Sequence, residues 1–429
     1  MTVIIAGAGI GGLTLGLSLH QAGIPFQIYE AVETIAPLGV GINVQPHAVR
    51  ELAELGLLPD LDRIALRTEE VVYAAKNGKD IWAEPRGAGA GYKWPQFSIH
   101  RGRMQMMLLE RLKQRAGEDV IKTGISCLNW HEEGDEIVVT LGARSTGEVI
   151  GSARGTVFVA ADGIHSAARK LLFPTEGAPV WGGTMMWRGV TIGPRYRTGR
   201  SMAMIGDKDT KFVCYPIDDA GEGLSVINWI ADLTLPMDTL DSRADWTLEG
   251  KAEDVLPRFD GYNYDWIDVP AIIRGAEKIY EYPMVDRDPL GAWTHGRMTL
   301  LGDAAHAMYP IGSNGASQAI IDARVMVAKF LELGVGPAAL MAYDEARRPA
   351  VNAVVLANRG DGPDKVLDLV EERAPDGFED IEEVITRAEL EQMAANYKKT
   401  AGMDVEGLNG RPDIVPLPHV APEEVPGDF

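Results

Sequence analysis

The stretch that decides the fold is TVIIAGAGIGGLTLGLSLHQAGIPFQIYE, residues 2–30. Thr2–Ala6 is a short apolar run rich in β-branched residues, which is typical of a strand buried on both faces. Helical spacing of apolar residues then continues to Gly23, and Phe26–Tyr29 forms a second apolar run. This order predicts a βαβ unit and therefore a parallel sheet.

The turn after the first strand reads GAGIGG and fits the pattern GxGxxG. The first glycine permits a tight turn, the second lets backbone N–H groups approach a pyrophosphate, and the last lets helix and strand pack closely. The positive end of the following helix would face the phosphates. The predicted binding residues are Gly7, Gly9, Ile10, Gly11 and Gly12.

Glu30 ends the second strand 18 residues after Gly12, where an acid can accept hydrogen bonds from a ribose. The pattern therefore predicts a dinucleotide site, with FAD and NAD both open. A glycine-rich turn without a ligand is the simpler alternative.

A second turn of interest follows the apolar strand Met298–Leu301 and carries Gly302 and Asp303. A carboxylate at a strand end can bind a polyol hydroxyl, and the helix that begins after Gly315 would present free N–H groups. For Asp303 alone, a helix cap or turn carboxylate is the alternative.

A third turn follows the strand Val157–Ala161 and carries Asp162 and Gly163, with Arg169 nearby. An ordinary turn with an ion pair explains these residues equally well when they are taken alone.

Composition excludes several functions. The net charge of −21 argues against a nucleic-acid partner, because phosphate binding needs a basic face. Cys127 and Cys214 form neither a disulfide framework nor a CxxC pair, which fits a reducing, cytoplasmic compartment. No metal is predicted, since the eight histidines lack metal-ligand spacing. The apolar stretch Val3–Leu19 contains five glycines and no preceding Lys or Arg, so it predicts neither a signal peptide nor a membrane span.

The middle of the chain differs from its ends. Lys211–Ile217 and Leu224–Ile230 alternate as half-buried antiparallel strands do. The acidic, proline-rich segment from Arg411 onward predicts a loosely held tail. Helical patterns cover residues 316–333, 338–359 and 379–399.

Taken in order, the three turns resemble those of the class A flavin-dependent aromatic monooxygenases, the group of p-hydroxybenzoate and salicylate hydroxylases. The resemblance covers roughly residues 1–359 and is most specific in residues 282–323. Within that group the chain is most similar to the phenazine-carboxylate hydroxylase type, through residues 38–49, 98–105 and 185–190.

This resemblance implies an α/β fold of the p-hydroxybenzoate hydroxylase kind. A Rossmann-like FAD-binding domain would carry a β-rich substrate domain packed on it, followed by C-terminal helices. The implied division is residues 1–70, 100–180 and 284–360 for FAD, residues 71–99 and 181–283 for the substrate, and residues 361–429 for the C-terminal segment and tail.

The resemblance also assigns cofactor contacts. The glycine turn would hold the FAD pyrophosphate, Glu30 the adenosine ribose and Asp303 the ribityl chain, while Asp162 would touch both FAD and the passing NADH or NADPH. The contacts implied beyond the glycine turn and Glu30 are Arg101, Asp162, Asp303, Gly312 and Asn314.

The implied reaction is reduction of FAD by NADH or NADPH, formation of the flavin hydroperoxide with O₂, and hydroxylation of a small aromatic or N-heteroaromatic substrate, carboxylates included. No catalytic side chain is assigned, because the flavin carries the chemistry. Arg188 and Tyr215 are candidate substrate contacts, with an ion pair and a core tyrosine as their alternatives. The implied protein is a monomer or homodimer. Five residues would suit the lining of an aromatic pocket, with an ordinary place in the hydrophobic core as the alternative: Met185, Met186, Trp187, Trp229 and Met308.

Other functions fit less well. A flavin-dependent halogenase shares the fold but carries a WxWxIP segment, and the nearest string here, residues 228–231, does not match. A disulfide reductase needs a CxxC, and an NAD-dependent dehydrogenase leaves Asp303 without a purpose. A non-catalytic FAD- or ligand-binding protein stays open.

Overall fold

The computed structural model describes residues 1–238, 248–360 and 362–423. Its strands are β1 (Val3–Ala6), β2 (Phe26–Tyr29), β3 (Gly41–Val44), β4 (Ala65–Arg67), β5 (Glu70–Ala74), β6 (Asp80–Pro85), β7 (Phe97–His100), β8 (Ile121–Lys122), β9 (Ile125–Glu133), β10 (Glu136–Ala143), β11 (Val149–Gly155), β12 (Val157–Ala160), β13 (Val180–Pro194), β14 (Ser201–Gly206), β15 (Thr210–Gly221), β16 (Leu224–Thr234), β17 (Asn263–Tyr264), β18 (Ile267–Asp268), β19 (Ile279–Asp286), β20 (Thr294–His295) and β21 (Met298–Leu300). Its helices are α1 (Ile10–Gln21), α2 (Pro46–Glu54), α3 (Leu58–Ile64), α4 (Arg101–Ala116), α5 (Ala167–Leu172), α6 (Ala252–Phe259), α7 (Val269–Arg274), α8 (Asp303–His306), α9 (Gly315–Leu333), α10 (Pro337–Ala357), α11 (Lys365–Arg373), α12 (Arg387–Thr400) and α13 (Val405–Gly410).

A parallel sheet lies at the centre of the first layer, with strand order β20-β21-β12-β1-β2-β8. All its pairs are parallel except β20 with β21. Strands β1 and β12 are fully buried, as a parallel sheet covered on both faces requires. The predicted βαβ unit is therefore confirmed.

A seven-stranded sheet forms the second layer, in the order β19-β13-β16-β15-β14-β5-β6. The two predicted antiparallel strands are observed as β15 and β16, and they pair antiparallel with one another. Strands β5 and β6 extend this sheet, whereas β7 pairs with β3 and β4 in a separate small sheet.

Side chains alternate between the two faces of this larger sheet. Phe212 and Trp229 stack on one face, where Phe259 of α6 packs against Phe212. On the opposite face, Val213 and Tyr215 share a core with buried residues of the C-terminal segment. The predicted α/β class, with a parallel sheet, a β-rich sheet and C-terminal helices, is confirmed.

The C-terminal segment differs from its prediction in two respects. Helix α12 begins only after Thr386, whose side chain forms a capping box with Glu389. Residues 411–423 of the tail are not loosely held, since Val415 is fully buried and Glu423 pairs with Arg111 at 3.0 Å. The buried Arg111 also pairs with Asp60 at 2.8 Å, so the tail supplies a second acidic partner. The rest of the predicted tail, residues 424–429, lies outside the described residues.

Candidate functional site

The predicted turns meet at one edge of the parallel sheet. Because β21, β12, β1 and β2 are neighbours and parallel, their carboxyl ends lie side by side. The register places Ala6 opposite both Ala160 and Tyr29, and Ala160 opposite Leu300. The residues that follow these ends, among them Glu30, are the predicted site residues.

The glycine turn is shaped for a close ligand. Gly7 has a φ of 100°, and a Cβ on Gly12 would lie 2.1 Å from the Gly7 carbonyl oxygen, so neither position accepts a side chain. Gly9 faces open space, with no other group within 4 Å of an added Cβ. Ile10 and Gly11 begin α1, which has no acid in its first turn. The open backbone and the positive helix end fit a pyrophosphate.

Glu30 lies against this turn. Its carboxylate accepts hydrogen bonds from the backbone N–H groups of Ala8 (2.6 Å) and Val32 (2.9 Å), and each oxygen keeps a lone pair for a further donor. Gln105 of α4 donates to the Ala8 carbonyl at 2.8 Å, a contact that the sequence analysis did not assign. Arg101 is exposed at the start of α4, and its aliphatic stem packs beside Gly39.

Asp162 lies beside the glycine turn, since its Cα would be 3.3 Å from a Cβ on Gly7. One carboxylate oxygen accepts from the N–H of Ala167 at 2.9 Å, and the other is buried without a partner. Burial raises the pKa of Asp162 above its ordinary value. Arg169 does not pair with Asp162. It binds Glu176 instead and donates to the Ala305 carbonyl at 2.8 Å.

Asp303 is exposed at the first position of α8. Its Oδ1 lies 3.9 Å from the place of a Cβ on Gly315, so the carboxylate is next to the N-terminus of α9. His306 packs behind this turn, where its Nε2 is 2.5 Å from the buried carboxylate of Asp322. Asp322 also accepts from the Gly302 N–H at 3.3 Å, which fixes the turn.

Gly312 and Asn314 belong to the turn before α9. Gly312 has a φ of 76°, and a Cβ there would lie 1.8 Å from the Tyr397 hydroxyl. The Asn314 side chain is fully buried and donates to Tyr397 at 2.9 Å, while its Oδ1 has no partner. Tyr397 in turn donates to Asn358 at 2.9 Å. Helix α12 therefore supports the turn, a contact that sequence reasoning missed.

Arg188 and Tyr215 lie on the same face of the large sheet and both bind one atom. Each donates to the carbonyl oxygen of Gly41, at 2.9 and 2.8 Å, and Asn228 accepts from the Gly41 N–H at 2.6 Å. Burial raises the pKa of Tyr215 to about 12, so its hydroxyl stays protonated. These side chains hold strand β3 against the sheet.

Of the residues expected to suit an aromatic pocket, several face away from Gly41. Met185, Trp187 and Trp229 pack in the core beneath α6 and α7, whereas Met186 shares the face of Tyr215. The structural alternative therefore describes the first three. The reason is the alternation along a strand, which places neighbouring residues on opposite faces.

A cavity that is partly open to solvent lies between this sheet face, the turn at Gly312 and the C-terminal segment. Its walls come from β5, β6 and β14 on one side and from α11 and α12 on the other. It is lined by Gln45, Tyr73, Trp82, Glu84, Arg86, Gln96, Met202, Met204, Gly312, Ser313, Pro363, Val366, Leu390, Met393, Ala394, Tyr397, Lys398 and Met403.

Two further features of the described ranges concern metal binding and the membrane. Glu54, Asp413 and His419 bring three possible metal-ligand atoms together, but Arg50 lies 3.4 Å from Glu54 and 3.0 Å from Asp413 and supplies the positive charge there. Within the same ranges, no helix is both long and apolar enough to span a bilayer.

The chain belongs to the FAD binding domain family, which it matches over residues 1–358. It is 42% identical over 361 residues to phenazine 1,6-dicarboxylic acid hydroxylase PhzS of Lysobacter antibioticus, covering 83% of this chain and 89% of the relative. It is 29% identical to a salicylate hydroxylase of Pseudomonas putida, covering 81% and 82% of the two chains. The crystal structure of Klebsiella pneumoniae HpxO with FAD and uric acid has the same fold, with a TM-score of 0.71, 24% identity and coverage of 95% and 96%.

These similarities confirm the predicted class: the chain is an FAD-dependent enzyme of the monooxygenase (hydroxylase) class. The residues at the sheet edge fit the cofactor, because Gly9 faces open space, Asp303 is exposed and one buried oxygen of Asp162 has no partner.

Proposed function

We propose that this enzyme uses NADH or NADPH and O₂ to hydroxylate an aromatic or N-heteroaromatic acid in the cavity beside Gly312. The observation that supports this most is the position of the cavity, which is lined by Gly312 and Ser313 just before α9, the helix whose N-terminus lies next to Asp303. The named activities of the relatives, on phenazine 1,6-dicarboxylic acid and on salicylate, agree with an aromatic acid.

The sheet edge supplies the residues that would hold FAD. The glycine turn would bind the pyrophosphate through its N–H groups, Glu30 would accept a ribose hydroxyl, and Asp303 would accept hydroxyls of the ribityl chain. Arg101 would flank the cofactor from the start of α4, and Asp162 would keep an acceptor free where NADH or NADPH arrives.

Bound FAD would supply electron transfer from the nicotinamide and activation of O₂. The protein positions the ring of the substrate and excludes water from the reacting atoms. Gly312 and Asn314, held from behind by Tyr397, would fix the cavity wall that faces the cofactor. Arg188 and Tyr215 would hold the Gly41 segment beside the substrate, and the buried Nε of Arg188, which has no partner, would stay available to a substrate acceptor.

Further properties belong to the same proposal. The enzyme would be cytoplasmic, as a monomer or homodimer, and its charge of −21 disfavours nucleic-acid partners.

The test is the purified protein with a panel of aromatic acids that includes phenazine 1,6-dicarboxylic acid and salicylate. We expect flavin absorbance and NAD(P)H oxidation that is stimulated by at least one acid. In a reaction under ¹⁸O₂, the product should contain one ¹⁸O atom. A flavin-loaded protein that hydroxylates no acid of the panel contradicts the proposed substrate class.

A further inference from the structure

The cavity beside Gly312 carries a group of charged side chains where β6 and α12 face each other. Its charged lining residues, in the described chain, are Glu84, Arg86 and Lys398. Arg86 lies 2.8 Å from one oxygen of Glu84, and Lys398 lies 2.7 Å from the other. Two cations against one carboxylate leave one surplus positive charge among these three side chains, while Asp364, whose charge also acts on Tyr73 and Tyr397, is paired with Lys211.

These groups are largely withdrawn from water. The side chains of Glu84, Arg86 and Lys398 are 8%, 14% and 20% exposed. Charges that are desolvated to this degree interact more strongly than surface pairs, because water screens them less. A surplus cation in such a place favours an incoming anion.

Three polar atoms of residues that line the same cavity lack hydrogen-bond partners. The Nε1 of Trp82 and the Nε of Arg86 are buried donors without a hydrogen bond, and the Oε1 of Gln96 is a buried acceptor without one. Buried polar groups without partners are uncommon and cost free energy. Three of them around one cavity, two of them donors, indicate a ligand that offers acceptor atoms.

The rest of the cavity suits a planar ring. Tyr73, Met202 and Met204 come from the sheet, and Leu390 and Met393 come from α12. Methionine side chains adapt their shape and make favourable contacts with aromatic rings.

Helix α12 carries both the cation Lys398 and a residue that contacts the turn beside Gly312. Tyr397 contacts that turn, and Lys398 is the next residue, so the two walls have a fixed relation. This helix lies beyond residue 358, where the family match ends. Arg188, by contrast, is engaged with Gly41 and does not line the cavity.

We infer that Arg86 and Lys398 form a carboxylate-binding subsite, through which the C-terminal segment selects anionic aromatic substrates. This inference rests on the proposed function, since it concerns the cavity that we assign to the substrate. Glu84 tunes the subsite, because it holds both cations in place and competes with the substrate for them.

The experiment measures binding without turnover. Phenazine 1,6-dicarboxylic acid and its diamide are titrated into the FAD-loaded protein, and the dissociation constant is read from the change in flavin absorbance. We expect the native protein to prefer the acid. Arg86→Gln and Lys398→Gln should each weaken acid binding by about 10- to 100-fold, the range for a hydrogen bond to a charged group, with the diamide changed less than about twofold.

Two controls separate recognition from structure. Glu84→Gln removes the competing carboxylate and should tighten acid binding, which a purely structural role would not do. Lys399→Gln removes the same charge one residue further along α12, at an exposed position, and should have no effect. FAD content and melting temperature show whether each variant is folded, and Arg86→Lys should retain part of the affinity if Arg86→Gln is unstable.

Several results would overturn the subsite: no binding of the acid, equal affinity for acid and diamide in the native protein, or unchanged acid binding in both folded variants. Hydroxylation of any panel acid by the native enzyme, combined with one of these results, removes the subsite and leaves the proposed function intact. If the native protein prefers the acid but hydroxylates no panel acid, the subsite is retained and the proposed function is contradicted.

Discussion

At the scale of single residues, Asp303 offers the sharpest test of the cofactor site. Its carboxylate is exposed and lies next to the N-terminus of α9. We expect Asp303→Ala to lose bound FAD, because the proposed ribityl contact disappears while the buried Asp322 still holds the turn. The ratio of flavin to protein absorbance after gel filtration measures this. Asp265→Ala, in the exposed turn between β17 and β18, is the control, and full FAD occupancy with normal turnover in Asp303→Ala would contradict the assignment.

Glu30 is a second test at this scale, with a different expected pattern. Glu30→Ala should weaken FAD binding by about 1–3 kcal/mol, the range for hydrogen bonds to a charged group. Part of that loss would come from the glycine turn, since Glu30 also accepts from Ala8. Glu30→Gln retains one acceptor oxygen and should fall between the native protein and Glu30→Ala. Titration of the apoprotein with FAD, followed by flavin fluorescence, measures the dissociation constants of the native protein and the two variants. Equal values would contradict the proposed contact.

At the scale of elements, helix α12 supports the turn beside the cavity through one hydroxyl group. Tyr397→Phe keeps the ring against Gly312 but removes the bonds to Asn314 and Asn358. We expect a loss of about 1–3 kcal/mol in the free energy of unfolding, because buried polar groups lose their partner. Urea unfolding measures it. Tyr397→Leu, which removes the ring as well, should cost more, and a Tyr397→Phe protein as stable as the native one would show that the hydroxyl does not support the turn.

Elements also show why the sequence predicted one half of the site and not the other. The ends of β1, β2, β12 and β21 follow from local patterns, because a buried parallel strand and the turn after it are encoded by adjacent residues. Tyr397 is 83 residues away from Asn314, and nothing in its own neighbourhood marks that contact. Arg188 and Tyr215 stay predictions as substrate contacts, and their shared bond to the Gly41 carbonyl joins residues that are 147 and 174 positions apart, so no local pattern indicates it.

At the scale of the whole molecule, α2, α9, α10 and the C-terminal segment meet at a histidine that no sequence pattern marks. His47 of α2 is buried, and its Nε2 lies 3.4 Å from the Gln318 amide of α9. Arg347 of α10 and Arg411 of the C-terminal segment also act on it. Burial and these two cations lower the pKa of His47 from 6.5 to about 3, so the ring is neutral in the folded protein at any moderate pH.

The stability of the protein in acid therefore depends on how these elements pack around His47. Below pH 6.5, His47 is protonated in the unfolded chain but stays neutral in the folded protein. The free energy of unfolding therefore falls as the pH falls from 6.5 towards 3. The loss is about 1.4 kcal/mol per pH unit, or roughly 2 kcal/mol at pH 5. His47→Gln cannot titrate and should lack this part of the pH dependence, whereas His131→Gln, at an exposed position, should retain it. Urea unfolding at pH 7.5 and pH 5 measures the difference, and equal losses in the native protein and His47→Gln would mean that His47 is protonated while folded.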